Sequence, residues 1–338
     1  MILSIESSCD DSSLAVTRVE DSKLLWHKKI SQEMEHSKFG GVVPELASRL
    51  HAVALPKLLY GVREILPKIK AVAVTNEPGL SVTLNEGVVM AKTIATFKNI
   101  PIIPVNHLKG HIYSLFINRV ESRLPMLVIL ISGGHTMIIR AKSIDSMEIL
   151  ATSIDDSVGE SFDKVAKMMG LGYPGGPIVE KFARRGDENR FDFPIPLRNS
   201  PLIAFSLSGL KNAVRVAINS MGGSENLSKQ DIFDISASFQ KALVGHLIQK
   251  SKKLFSKESI KDVALVGGVS ANSYIRDSFN RLSREFGKRV HTAELEFCSD
   301  NAAMIGRYGV DALKSGLYLK PESIEVKASR RLKVGEFL

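Results

Sequence analysis

His107-Leu108-Lys109-Gly110-His111 carries two imidazoles at i and i+4, on one face if a helix begins where the preceding strand ends. That is the spacing with which two side chains reach one divalent cation, although paired histidines also serve as partners of a core or a substrate. A third ligand must come from elsewhere. Asp300, in the polar step Ser299-Asp300-Asn301 before the last long helix, is the candidate, with helix N-capping as its plain alternative role. The hydrolytic zinc motif His-Glu-x-x-His is absent, and Leu108 stands where its general base would be, so a metalloprotease loses its base. Asp10 and Asp11, in Ser7-Ser8-Cys9-Asp10-Asp11, are carboxylates able to bind a metal, orient a nucleophile or simply satisfy turn amides. Two carboxylates without a glycine suit a nucleoside triphosphate poorly unless a cation bridges them.

Glycine marks further candidate contacts. Ser132-Gly133-Gly134 and Gly267-Gly268 are turns where bare backbone can approach a ligand and where positive φ is expected. Gly170-Leu171-Gly172-Tyr173-Pro174-Gly175 spells the dinucleotide fingerprint, yet it follows a helix and contains a proline, so it is expected to be an interhelix turn. No Gly-x4-Gly-Lys-Ser/Thr string supports a P-loop ATPase.

The elements that must position these residues occur twice in the same order. Strands are expected at 2–6, 14–17 and 23–30, then a helix at 44–66, a strand at 71–74, a helix at 85–97 and a strand at 102–105. The second half repeats this with strands at 126–131, 136–140 and 147–152. Helices are expected at 159–169, 176–185, 207–218 and 229–254, then a strand at 263–266, a helix at 272–286 and a strand at 289–293. A duplicated α/β unit follows, with two like domains face to face and the polar turns of both converging on one cleft.

Composition agrees with two ordinary packed domains: 338 residues, 44% hydrophobic and 24% charged. No apolar run approaches the roughly 18 to 20 residues that cross a bilayer, and the first residues lack the pattern of a secretory leader. The expectation is a cytoplasmic protein whose two cysteines, Cys9 and Cys298, stay reduced. A net charge of +9 favours a polyanionic partner. Basic density rises at Lys250, Lys252, Lys253 and Lys257, at Arg184, Arg185 and Arg190, and at Lys327, Arg330, Arg331 and Lys333; charge reversal at 250, 252 and 253, or at 330 and 331, is expected to weaken binding to a polyanion.

Taken jointly, several strings resemble the bacterial tRNA N6-adenosine threonylcarbamoyltransferase family. They are Ile5-Glu6-Ser7-Ser8-Cys9-Asp10-Asp11, Gly40-Gly41-Val42-Val43-Pro44-Glu45, Val105-Asn106-His107 through His111, and Ser132-Gly133-Gly134-His135-Thr136. To these are added Phe162-Asp163-Lys164, Tyr173-Pro174-Gly175-Gly176-Pro177, Phe205-Ser206-Leu207-Ser208-Gly209-Leu210-Lys211 and Gly267-Gly268-Val269-Ser270-Ala271-Asn272. The chain departs from the family's usual pattern at Glu77-Pro78-Gly79 and Asn85-Glu86-Gly87.

The resemblance implies a duplicated actin-like, sugar-kinase-like (ASKHA) α/β fold with an interdomain cleft. One subdomain would span residues 1–110, completed by 305–338, and the other 111–304, with a helical insertion at 159–258. It implies transfer of a threonylcarbamoyl group from threonylcarbamoyl-AMP to N6 of adenosine 37, 3′ of the anticodon, in tRNAs reading codons that begin with adenine. One divalent metal, Fe2+ or Zn2+, would be held by His107, His111 and Asp300. Leu130, Ile131, Ser132, Gly133, Gly134, Asp163, Gly176 and Asn272 would line the adenylate site, with Asp10 or Asp11 as proton acceptor. Implied partners are tRNA, a catalytically silent paralogue of the same fold, a P-loop ATPase and a synthase that makes the adenylate. A kinase or ATPase of the same fold, and a noncatalytic assembly subunit, are the competing expectations.

Overall fold

The computed structural model describes residues 1–327 and 332–338. The first half runs β1 (Ile2–Glu6), β2 (Asp11–Thr17), β3 (Leu24–Ser31), α1 (Glu33–Ser37), α2 (Pro44–Tyr60), β4 (Ala71–Glu77), α3 (Ser81–Lys98), β5 (Ile102–Asn106) and α4 (His107–Tyr113). The second half runs β6 (Met126–Ile131), β7 (Thr136–Ser143), β8 (Ser146–Thr152), α5 (Val158–Met168), α6 (Gly175–Ala183), α7 (Ser208–Ser220) and α8 (Lys229–Phe255). It continues with β9 (Asp262–Val266), α9 (Ser273–Glu285), β10 (Arg289–Thr292) and α10 (Ala302–Lys314).

Each half builds one five-stranded sheet, ordered β3-β2-β1-β4-β5 and β10-β9-β6-β7-β8. In both, an antiparallel meander joins a parallel trio through its first strand: β1 pairs β2 antiparallel and β4 parallel, as β6 pairs β7 and β9. The expected duplication is therefore present in the hydrogen-bond ladders themselves. β1 and β6 are buried on both faces, and their residues alternate between two cores. Leu127, Ile129 and Ile131 face Phe162 and Phe239 on the outer side. Val128 and Leu130 face an inner core with Ala73, Ile112, Met304 and Ile305. α4 and α10 thus lie in the layer between the sheets, and α10, though last in sequence, packs on β1, β2 and α4 of the first half.

Several elements differ from the sequence expectation, β2, β4 and β7 each running three residues longer. α2 stops at Tyr60 because the Gly61 amide turns back to the carbonyls of Leu58 and Leu59, and Pro67 bars a regular continuation. α3 starts at Ser81, a turn earlier than expected. α1 is an additional short helix after β3. The Gly170 to Gly175 segment does join two helices, α5 and α6, as expected for an interhelix turn.

Of the two glycine turns, only Gly267 has the expected left-handed backbone, with φ +92. A Cβ there would stand 2.4 Å from the Ile131 carbonyl oxygen, closer than any tolerated contact. Gly267→Ala is expected to lower stability by roughly 1–3 kcal/mol from the backbone strain alone. Urea unfolding reads this directly, and an unchanged midpoint would contradict it. Gly133 and Gly134 correct the expectation: neither has positive φ, and a Cβ on either meets nothing within 4 Å. Their contribution is open approach to the backbone from the cleft.

Candidate functional site

The helix that carries the imidazoles starts directly at the end of β5. Asn106 caps it, its side-chain oxygen accepting from the amides of Leu108 (2.9 Å) and Lys109 (3.4 Å). His107 is thereby the first helical residue and His111 lies one turn on; their rings are 4.6 Å apart. The loop before α10 brings Asp300 to both, with Oδ1 3.5 Å from His107 Nε2 and 3.2 Å from His111 Nε2. Capping of α10 falls to Asn301, whose side chain accepts from the Met304 amide at 2.9 Å, so Asp300 is free of that duty. One ligand atom from each of the three residues lies within 4.8 Å of the others.

Glu6 completes the arrangement from beneath. Its Oε2 lies 3.0 Å from His107 Nδ1 and accepts from Thr75 Oγ1 at 2.6 Å, while Oε1 accepts from the Ser8 amide at 2.7 Å. A carboxylate on Nδ1 fixes that nitrogen as the donor and leaves Nε2, facing Asp300, as the nitrogen that would ligate a cation once its proton is released. His111 is fully buried, yet among the described residues neither ring nitrogen makes a hydrogen bond. A buried polar group without a partner is costly, and a two-imidazole, one-carboxylate donor set suits a divalent first-row cation. On both counts these residues fit a metal ion. Burial alone disfavours charge on Asp300 and on His107. Their mutual attraction, aided by His111 and Glu6, outweighs it, holding Asp300 well below the usual carboxylate range and His107 above the usual imidazole one.

Through His107 and Asp300 the group opens onto a cleft of about 670 Å³ between the halves, with His111 buried behind them. The first half lines it with Ser8, Cys9, Asp10, Gly40 to Val42 and Pro78 to Leu80; the second contributes Ser132 to His135, Glu160, Asp163, Lys164, Lys167 and Tyr173. Asp10 and Asp11 part company here. Asp10 lines the cleft, and burial, then the charges of Asp11 and Asp300, raise its pKa. Asp11 turns to Lys29, whose Nζ lies 2.8 Å from Oδ2 and 3.1 Å from Ser299 Oγ.

The other sequence candidates fall in three settings. Ser132, Gly133, Gly134 and Asp163 reach the cleft; Asp163 accepts from the Gly175 amide at 2.7 Å and from that of Gly176, and so anchors the start of α6. Leu130 and Ile131 are fully buried strand residues whose side chains belong to the inner and outer cores. Asn272 is also buried, capping α9 through Ile275 N (3.0 Å) and donating to Gln240 (2.9 Å). Glu6 and His135 were not singled out as site residues from sequence. His135 is pushed down to about 4 by burial, then by His107 and His111, and is neutral at pH 7.

Within the basic clusters, Lys250 needs correction. Lys250 is fully buried and donates to the carbonyls of Leu197 (2.8 Å) and Leu202 (2.9 Å), so it cannot meet a phosphate; an ammonium beside backbone oxygens here staples the 197–202 segment to α8. Lys252 pairs with Glu285 at 3.3 Å and Lys253 donates to the Ser200 carbonyl at 2.8 Å. Arg184 pairs with Glu180, and Arg190 with Asp231 and Asp234. Arg330 and Arg331 lie outside the described residues. Among the described residues no helix is long and apolar enough to cross a membrane, and both cysteines are free thiols.

Residues 23–307 match the family described as tRNA N6-adenosine threonylcarbamoyltransferase. A protein of that description from a Sulfurovum species is 64% identical over 338 residues, covering 100% of both chains. Another from a Nitratiruptor species is 62% identical over 312 residues, covering 92% of this chain and 94% of its own. Among solved structures, HypF of T. kodakarensis superposes with a TM-score of 0.61 at 15% identity over 93% of this chain and 48% of that one, a likeness of fold alone.

Proposed function

The chain belongs to the tRNA N6-adenosine threonylcarbamoyltransferase family, and from that premise we propose how its cleft performs the transfer. The protein is a transferase that modifies N6 of adenosine in tRNA. In our reading the donor is threonylcarbamoyl-AMP, the acceptor is adenosine 37 in tRNAs reading codons that begin with adenine, and the protein works in the cytoplasm. The metal is Fe2+, with Zn2+ as the other candidate. A synthase supplies the donor, and a silent paralogue of the same fold and a P-loop ATPase assist.

The observation that carries this reading is the continuity of Asp10, the Ser132 to Gly134 turn and the His107–His111–Asp300 group around one open cleft. An exocyclic adenine amine is a poor nucleophile, since its lone pair is delocalised into the ring. A cation held by His107, His111 and Asp300 supplies Lewis acidity when bound. The chain's own residues do the rest. Glu6 holds the His107 ring in register, and the bare backbone at Gly133 and Gly134 admits the donor's anionic groups. Asp10 accepts the proton from N6 as the new N–C bond forms and the C–O bond to AMP breaks, with AMP taking the electron pair.

The test is reconstitution: the chain with undermodified tRNA, authentic threonylcarbamoyl-AMP and the partner proteins, followed by nucleoside mass analysis. Threonylcarbamoyladenosine and AMP are expected in equal amounts. Sugar-dependent release of ADP, with no modified nucleoside, would instead point to a kinase of the same fold.

A further inference from the structure

We propose that the rim of the cleft carries a two-sided clamp for the RNA strand beside the target adenosine, with Lys167 taking a backbone phosphate and Phe39 offering its ring to an unpaired base. The proposal rests on tRNA being the acceptor and names residues that nothing above has assigned.

Lys164 and Lys167, a turn apart on α5, are the two lysines that line the cleft. Lys164 is committed, 2.7 Å from Glu160 and 3.1 Å from Asp156. Lys167 is exposed and has no ion pair or hydrogen bond among the described residues. Its ammonium reaches across from the second half toward the first, where Nζ lies 3.5 Å from the place a Cβ on Gly40 would take. Gly40 has a left-handed backbone, φ +68, so the chain turns beneath that ammonium without a side chain in the way.

Phe39 precedes this glycine, which lines the cleft, and is 61% exposed, a large apolar ring left in water next to that turn. Its loop is fixed from below by His36, which is fully buried. The His36 ring accepts from the Val43 amide at 3.2 Å and pairs with Gln32 Oε1 at 3.1 Å, while its carbonyl accepts from the Phe39 (2.9 Å) and Gly41 (3.4 Å) amides. The ring therefore stands on a held platform.

A free cation over a turn whose neighbouring residue is an exposed aromatic supplies the two chemistries that grip single-stranded nucleic acid, where phosphates and bases alternate. The target base must leave its neighbours to bring N6 into the cleft, so a flanking nucleotide is stretched across the rim. The donor's phosphate is the other source of the same anionic chemistry. Both side chains are exposed and Phe39 is not among the residues that line the cleft, which favours the RNA.

The test is binding of undermodified tRNA to the full chain across a salt series, with AMP binding measured in parallel. Phe39→Ala is expected to weaken tRNA binding about tenfold with the salt slope unchanged, and Phe39→Tyr to retain it. Lys167→Met is expected to weaken binding and reduce the salt slope by about one. AMP affinity and melting temperature should stay as they are in both. Unchanged tRNA affinity in both variants overturns the clamp. So does a loss of AMP affinity in Lys167→Met with tRNA binding intact, which gives that phosphate to the donor. Failure of the unaltered chain to bind tRNA, partners included, counts against the acceptor itself and is distinct from either variant result.

Discussion

The double variant His107→Ala, His111→Ala is expected to retain no metal after gel filtration and to form no detectable threonylcarbamoyladenosine. Each imidazole offers a nitrogen toward Asp300, and removing both leaves a single carboxylate as ligand, too little to hold a divalent ion against water. The fold should survive, because α4 is anchored by Leu108, Ile112 and Tyr113 in the core and by the Asn106 cap rather than by its histidines. Metal analysis and circular dichroism on the same sample separate the two effects. A sensitive companion is Glu6→Gln, which keeps the shape but removes the carboxylate that orients His107 Nδ1; about a 10- to 100-fold loss of metal affinity is expected from such a supporting group. Normal metal content and full activity in the double variant would sink the assignment of the site.

The fold was legible because its pattern is written twice. Short apolar strands broken at Ser7 to Asp11 and again at Ser132 to Gly134 occupy equivalent places, and the ladders of β1 and β6 repeat each other. The His107 and His111 pair was legible from helical spacing, and Asp300 from its position in the repeat. Glu6 was not, because a charged residue at the end of an apolar strand carries no local sign of which distant imidazole it meets 101 residues on. Lys250 misled for a related reason. Charge density along the chain says nothing about burial, and Lys250 spends its three donors on carbonyls of a segment some fifty residues earlier. The glycine turns were read both as open backbone and as positive φ, yet only Gly267 lies in the left-handed region; Gly133 and Gly134 keep only the room they leave. Sequence shows where a glycine is, and the neighbouring atoms decide which of its properties is used.

Asp10→Asn is expected to reduce the transfer rate by about 10²- to 10⁴-fold while leaving AMP and tRNA affinity nearly unchanged, the signature of a lost general base rather than a lost binding contact. The structure separates the adjacent carboxylates: Asp10 faces the cleft, whereas Asp11 is engaged with Lys29 and, through it, with Ser299. Burial, then the charge of Asp11, raise the pKa of Asp10, making it a stronger proton acceptor than an ordinary carboxylate. A base must be ionised to work, so the rate should fall as pH drops through that raised pKa, at a higher pH than for an exposed aspartate. Asp11→Asn removes one of the charges that raise it. The acid limb should then move to lower pH, with a far smaller loss of rate at pH 7 than in Asp10→Asn. Equal losses in both variants, or an acid limb that stays in place when Asp11 is neutralised, would transfer the proton-accepting role away from Asp10.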